Sequence, residues 1–238
     1  MMKKYILIIL VLLFSNNFYS QISIAAKENE ESDSIGEFHD GLAKIKKNGK
    51  WGFVNDKKEI IIQIDYDFAD DFSEGLAPVK RNGRFGYIDK TGKPIIPINL
   101  NYLSVGTFID GLAFFLDSNL KFGFIDKIGN VVIEPNFKSI HRGFRNGYCI
   151  VSNNDLWGAI DKKGNLIVPI KYIFMENFSE GLAVVVNENG KYGYVDTTDK
   201  IVIPFKYKRA ENFINGKAKV LENNKEYFIN KKGKKIIK

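Results

Sequence analysis

The chain has 238 residues, of which 45% are hydrophobic, 13% aromatic and 26% charged. It holds enough apolar content for a sizeable core and too much for a disordered chain. A single cysteine, Cys149, excludes an internal disulfide framework and a cysteine zinc cage, and two histidines, His39 and His141, leave little for metal or acid–base chemistry. The formal charge is +7, and removing Lys3 and Lys4 leaves 33 basic against 28 acidic residues, mostly lysines spread along the chain. That pattern describes a solvated surface rather than a nucleic-acid stripe.

Met1 to Lys4 form a short basic start, and the apolar run Tyr5–Phe14 follows before polar Ser15, Asn16 and Asn17. This is the grammar of an export signal, and the run is short of the roughly 20 residues that span a membrane. We expect a signal peptide over residues 1–20, with cleavage as late as 25, and no cysteine follows to carry a lipid. Residues 21–37 hold Glu28, Glu30, Glu31, Asp33 and Glu37 and no aromatic residue, and read as a flexible acidic tether.

From residue 38 to 238 one unit recurs six times, opening at Phe38, Phe72, Phe108, Phe144, Phe178 and Phe213, in steps of 34, 36, 36, 34 and 35 residues. In the opening phrase small or β-branched residues alternate, as at Ala43 and Ile45 or Ala183 and Val185, with lysines between them in the first and last copies. A period of two is a strand with one buried face. Asn48-Gly49, Asn82-Gly83 and Asn189-Gly190 supply tight hairpins to a second strand. D-x-x-G turns at Asp89, Asp126 and Asp161, with Asn230 as a variant, lead to a third strand that meets Pro97, Pro135, Pro169 and Pro204, marking strand ends or an unpaired edge. The linker to the next copy spaces apolar residues by three, as in Tyr66, Ala69 and Phe72, which suits a single helical turn or an irregular fourth strand.

Ordering one copy costs roughly 50 kcal/mol at about 1.5 kcal/mol per residue, requiring about 2,000 Å² of apolar burial. A three-stranded sheet cannot reach that alone, so neighbours must share a core. The fold class is all-β, a tandem array of six three-stranded antiparallel repeats, and copies this short favour an open curved stack over a closed propeller-like ring. In the last copy Glu226 fills the aromatic slot and lysines surround the final strand, as a terminal cap requires.

Lys50-Trp51-Gly52-Phe53 and Leu156-Trp157-Gly158-Ala159, with the G-L-A openings and I-x-P closings, resemble the bacterial WG-repeat family, also called KWG repeats. Phe85, Phe122 and Tyr192 replace Trp in three copies. The resemblance implies an all-β repeat module of mostly unassigned function and brings no catalytic residues.

The turn carboxylates Asp89, Asp126, Asp161 and Asp196 fall one per copy, as turn formation demands, and Asp40, Glu74, Asp110 and Glu180 likewise read as turn residues. Cys149 fills a slot held elsewhere by alanine, so it reads as a buried apolar residue. The candidate binding residues are the rings beside the recurrent glycine: Trp51, Phe53, Phe85, Tyr87, Phe122, Phe124, Trp157, Tyr192 and Tyr194. They form either the core shared between copies or an exposed ladder that stacks on sugars or grips a peptide. The reading is a non-catalytic exported binding or scaffold module of the cell envelope, periplasmic or extracellular, with no cofactor and no metal. Its expected partner is a protein, the alternative is a cell-wall glycan held by the ladder, and the remote alternative is a hydrolase built on the irregular fourth copy around Asn153, Asn154 and Asp155.

Overall fold

The computed structural model describes residues 34–237. The expected signal peptide and residues 21–33 of the expected tether lie outside the described residues. Ser34 to Glu37, assigned above to the tether, instead belong to a strand.

The described chain is all-β and forms six antiparallel sheets in tandem, each a meander of neighbours in sequence. Sheet I contains β1 Ser34–His39, β2 Leu42–Lys47, β3 Lys50–Val54 and β4 Ile60–Tyr66; sheet II contains β5 Phe68–Ala69, β6 Leu76–Arg81, β7 Arg84–Asp89 and β8 Pro94–Leu100. Sheet III is β9 Ser104–Val105, β10 Ala113–Leu116, β11 Phe122–Ile125 and β12 Val131–Phe137; sheet IV is β13 Ser139–Ile140, β14 Tyr148–Asn153, β15 Leu156–Asp161 and β16 Leu166–Tyr172. Sheet V is β17 Phe174–Met175, β18 Ala183–Val186, β19 Tyr192–Val195 and β20 Ile201–Tyr207; sheet VI stops at three strands, β21 Arg209–Ala210, β22 Lys217–Glu222 and β23 Lys225–Asn230. The linker between copies is thus the irregular strand, two residues long in sheets II to VI, and most sheets have four strands rather than three.

Two kinds of turn set the meander. Asn48-Gly49 and Asn82-Gly83 have positive φ at both residues, as a two-residue hairpin of primed type requires. The same geometry recurs at Asp40-Gly41, Glu74-Gly75 and Asp110-Gly111, where the openings conceal a hairpin between the first and second strands of each sheet. Asn189-Gly190 differs from expectation. Gly190 alone is left-handed, closing a longer loop in which the Gly190 N–H donates to Asn187 O at 2.9 Å.

The third and fourth strands of sheets I to V share one irregularity. In sheet IV Trp157 pairs with Tyr172 but Ala159 pairs with Val168, so the fourth strand carries two extra residues there. Sheets I, II, III and V do the same. The bulge explains both punctuating residues. Its backbone folds over the recurrent glycine: a Cβ on Gly158 would lie 2.5 Å from Val168 O, and one on Gly86 2.6 Å from Ile98 Cα. The approaching backbone therefore belongs to the same sheet, not to a neighbouring copy. Pro97, Pro135, Pro169 and Pro204 sit within the bulged segments of the edge strands β8, β12, β16 and β20, mid-strand rather than at strand ends. A missing N–H is tolerated there because the ladder is already interrupted.

The cores lie between sheets, as the single-copy energetics demand. One cluster joins Leu42, Phe53 and Ile62 of sheet I to Ala77, Val79 and Ile88 of sheet II, and four more repeat the arrangement down the array. Interior strands are consequently buried on both faces: Ala77, Pro78 and Val79 are successive buried residues. Lys44, expected to face water, instead turns to sheet II and lies 2.9 Å from Asp70 and 3.2 Å from Asp71. Sheet VI ends the array. Phe228 is 46% exposed, with exposed Lys217 and Glu226, whereas its counterparts Tyr87, Phe124 and Tyr194 are fully buried. Among the described residues no further sheet packs on the outer face of sheet VI, and the stack of described sheets is open there.

Candidate functional site

The nine candidate rings divide into two groups. Phe53, Tyr87, Phe124 and Tyr194 are fully buried and Phe85 nearly so. These five are core residues and cannot offer a face to a ligand. The reason is a contact made at four joints, in which the ring meets the opening phenylalanine of the next sheet: Phe53 on Phe72 at 4.8 Å, Tyr87 on Phe108 at 4.9 Å, Phe124 on Phe144 at 4.8 Å and Tyr194 on Phe213 at 4.9 Å. Where Ala159 replaces the ring, Phe178 packs instead on Tyr148 at 5.2 Å. Trp51, Phe122, Trp157 and Tyr192 are half-buried, nearer the hairpin end of each sheet.

The turn carboxylates are committed to structure. Asp89, Asp126, Asp161 and Asp196 each accept two backbone N–H groups through one oxygen, from the residues two and four positions ahead. Side-chain hydrogen bonds from Thr91, Asn165 and Thr198 lead the causes that hold Asp89, Asp161 and Asp196 below the usual carboxylate range.

The other acidic series does more than turn the chain, and sequence reasoning missed this. The Asp40 carboxylate accepts the Gly75 N–H of the next sheet at 2.9 Å, Glu74 that of Gly111 at 3.1 Å, Asp110 that of Gly147 at 2.8 Å and Glu180 that of Gly216 at 3.1 Å. A lysine of the next sheet joins two of these clamps, Lys127 at 3.0 Å from Glu74 and Lys231 at 3.1 Å from Glu180. Between sheets IV and V the clamp positions hold neutral Asn146 and Thr197. That joint is tied elsewhere: the Tyr172 hydroxyl donates to Asp199 Oδ1 at 2.7 Å and Lys171 pairs with the same carboxylate.

The remaining polar candidates lie apart. His39 Nε2 is 3.6 Å from Asp71 in the joint of sheets I and II, while His141 belongs to sheet IV. Cys149 is buried, and desolvation pushes its thiol up to about 12. The irregular hairpin of the fourth copy borders a cleft of about 440 Å³, where Asp155 and Ser152 meet Lys138, Ser139, Asn119 and Lys121. Among the described residues no three His, Cys, Asp or Glu side chains are grouped to hold a metal ion.

The family model described as WG containing repeat matches residues 31–51, 51–85, 85–119, 122–157, 157–192 and 192–225. The chain belongs to the WG-repeat family. In this WG-repeat array five of the six matches open on the aromatic residue of a third strand, Trp51, Phe85, Phe122, Trp157 or Tyr192, and run into the next sheet, so the sequence unit and the folded sheet are out of phase. No curated protein sequence matches the chain. Among solved structures, a eukaryotic initiation factor is similar at 9% identity over 88% of this chain and 65% of that one, with a TM-score of 0.57. BamB from Moraxella catarrhalis is similar at 12% identity over 86% and 72% of the two chains, TM-score 0.46. Hsv2 from Kluyveromyces lactis is similar at 10% over 84% and 75%, TM-score 0.47. At these identities the first likeness concerns the fold alone, and the other two are looser still.

Proposed function

We propose that this WG-repeat chain is an exported, non-catalytic binding or scaffold module of the cell envelope whose partner is a protein. The observation that carries the reading is the employment of its chemistry-bearing groups. The repeated carboxylates stitch turns and joints, the thiol is buried, and the histidines belong to different sheets. What remains available is the long outer surface of a repeat array, the part that such arrays use for binding. Export rests on the basic start and apolar run at the N-terminus.

The glycan alternative keeps four of its nine rings, Trp51, Phe122, Trp157 and Tyr192, since the other five are core. Co-sedimentation of the purified mature protein with peptidoglycan and envelope fractions tests both readings, at low salt and at about 0.5 M salt, where charge attraction is screened. Retention at high salt that survives Trp51→Ala and Trp157→Ala and is abolished by protease treatment of the fraction supports a protein partner. Retention lost in those two variants, with folding intact, would replace it with the glycan reading. Intact signal peptide on the protein recovered from cells would overturn export.

A further inference from the structure

Near its hairpin tip, the second strand of each sheet sets one residue opposite the short first strand. In sheets II, V and VI the opposed pair is bulky: Phe68 with Lys80, Phe174 with Val186 and Arg209 with Leu221. Sheets I and III keep one bulky member, Lys46 opposite Ser34 and Leu116 opposite Ser104. In sheet IV both members are small, Ser139 opposite Ser152. Both serines line the cleft of about 440 Å³ beside the hairpin tips of sheets III and IV. Ser152 is only 4% exposed, and its hydroxyl has no hydrogen-bond partner among the described residues. A buried hydroxyl left without a partner is costly. Breaks of this kind in an otherwise consistent pattern mark functional positions.

The charges around the cleft depart from the repeat as well. In sheet I, Lys50 and Asp67 flank the paired Trp51 and Tyr66 and lie 2.5 Å apart. The same two positions of sheet III, flanking the paired Phe122 and Phe137, are Lys121 and Lys138. Like charges set opposite each other on neighbouring strands repel. Sheet V also places two lysines here, Lys191 and Lys208, but Lys208 donates to Asn224 Oδ1 at 2.8 Å and the adjoining slot is filled by Arg209 and Leu221. The residue of sheet IV that matches Asn224 is Asp155, which lines the cleft together with Lys121 and Lys138. Among the described residues the side chains of Lys121, Lys138 and Asp155 make no ion pair and no hydrogen bond. The cleft therefore offers two ammonium groups, one carboxylate and the hydroxyls of two serines.

That set selects a ligand carrying both charges. A simple anion would meet Asp155, and a simple cation would meet two lysines. A zwitterion meets each with its complement, its carboxylate towards Lys121 and Lys138 and its ammonium towards Asp155, with the Ser152 hydroxyl gaining the partner it lacks. The volume lies within the range of about 300–1,000 Å³ usual for small-molecule sites. We propose that the cleft between the tips of sheets III and IV binds a small zwitterion that joins an ammonium and a carboxylate, a free amino acid or a short unblocked peptide. This site goes beyond the protein-partner reading and does not depend on it.

The test is calorimetric titration of the purified mature protein at pH 7 with alanine and with alanyl-alanine, which separate the two sources by length. The N-acetylated and amidated forms of each, and acetate, are titrated in parallel. Ser152→Leu restores the residue that sheets III and VI carry in this slot; Lys138→Gln and Asp155→Asn change exposed groups, so one of the three at least is expected to fold as wild type by circular dichroism. Binding of alanine or alanyl-alanine with Kd of about 1 mM or tighter is expected, weakened about tenfold by either blocking group, by Lys138→Gln and by Asp155→Asn, and abolished by Ser152→Leu. Lys208→Gln, the matching lysine of sheet V, should change Kd less than about twofold. Absence of binding by both zwitterions would overturn the proposal, as would equal binding of the blocked forms or of acetate. Unchanged binding in Lys138→Gln and Asp155→Asn, or an equal loss in Lys208→Gln, would place the ligand elsewhere and overturn it too. None of these outcomes bears on retention by envelope fractions, which tests the protein-partner reading separately.

Discussion

Gly158→Ala tests the account of the repeat most directly. The backbone there is in an ordinary extended conformation, so a Cβ adds no torsional strain of its own. It would instead sit 2.5 Å from Val168 O, 2.8 Å from Ile170 N and 2.8 Å from the Pro169 carbonyl carbon. All three are backbone atoms of the bulge in β16, and none can swing away as a side chain could. Overpacking of this kind costs roughly 1–3 kcal/mol, and three rigid contacts point to the upper end. Alanine returns about 0.5–1 kcal/mol relative to glycine by restricting the unfolded chain. The net loss should be about 2 kcal/mol, or about 4–8 °C in melting temperature for a domain of this size. Urea and thermal unfolding read it out, with Trp157 next door as the fluorescent reporter. Gly36→Ala is the control, since its added Cβ would make only ordinary contact, 3.7 Å from Lys44 O, and should leave stability unchanged or raise it by up to about 1 kcal/mol. Equal losses in the two variants, or none at Gly158, would refute the claim that the glycine exists to admit the bulge.

Burial of Cys149 predicts that a thiol reagent at pH 8 leaves the native protein unlabelled and reacts on unfolding; stoichiometric native labelling would contradict the packing described. Glu180 is held below the ordinary carboxylate value of 4.5 first by the Lys231 hydrogen bond and then by Gly216 N–H. Its stabilisation is therefore present above that value and fades as pH falls through the lower folded one. Glu180→Gln should unfold at lower urea than wild type at pH 7, with the difference closing below pH 4; a difference constant down to pH 2 would exclude the clamp. Tyr172→Phe removes a hydrogen bond to the Asp199 carboxylate and should cost about 1.5 kcal/mol in urea unfolding, with a smaller loss in an Asp199→Asn background. Asn146→Glu with Thr197→Lys copies the Glu74–Lys127 and Glu180–Lys231 clamps into the joint that lacks one. It should raise the melting temperature by a gain of less than about 1 kcal/mol, and a fall would show that this joint has a different geometry.

Much of the fold is written locally. Period-two alternation, Asn-Gly and D-x-x-G turns and a phrase repeated six times are enough to identify an all-β array whose copies share cores, because each signal depends on one residue and its immediate neighbours. Asp161 illustrates this: its carboxylate bonds the N–H groups of Lys163 and Asn165, both within its own turn. The buried place of Cys149 was legible in the same way, from the alanines in its slot.

The tertiary structure decided what depends on a partner distant in sequence. Whether Tyr87 meets a ligand or Phe108 is settled by the sheet stacked against it, because a strand of alternating residues looks the same with either neighbour. The clamp function of Glu74 depends on Gly111, 37 residues away, and the bulge over Gly158 depends on how β16 is registered against β15.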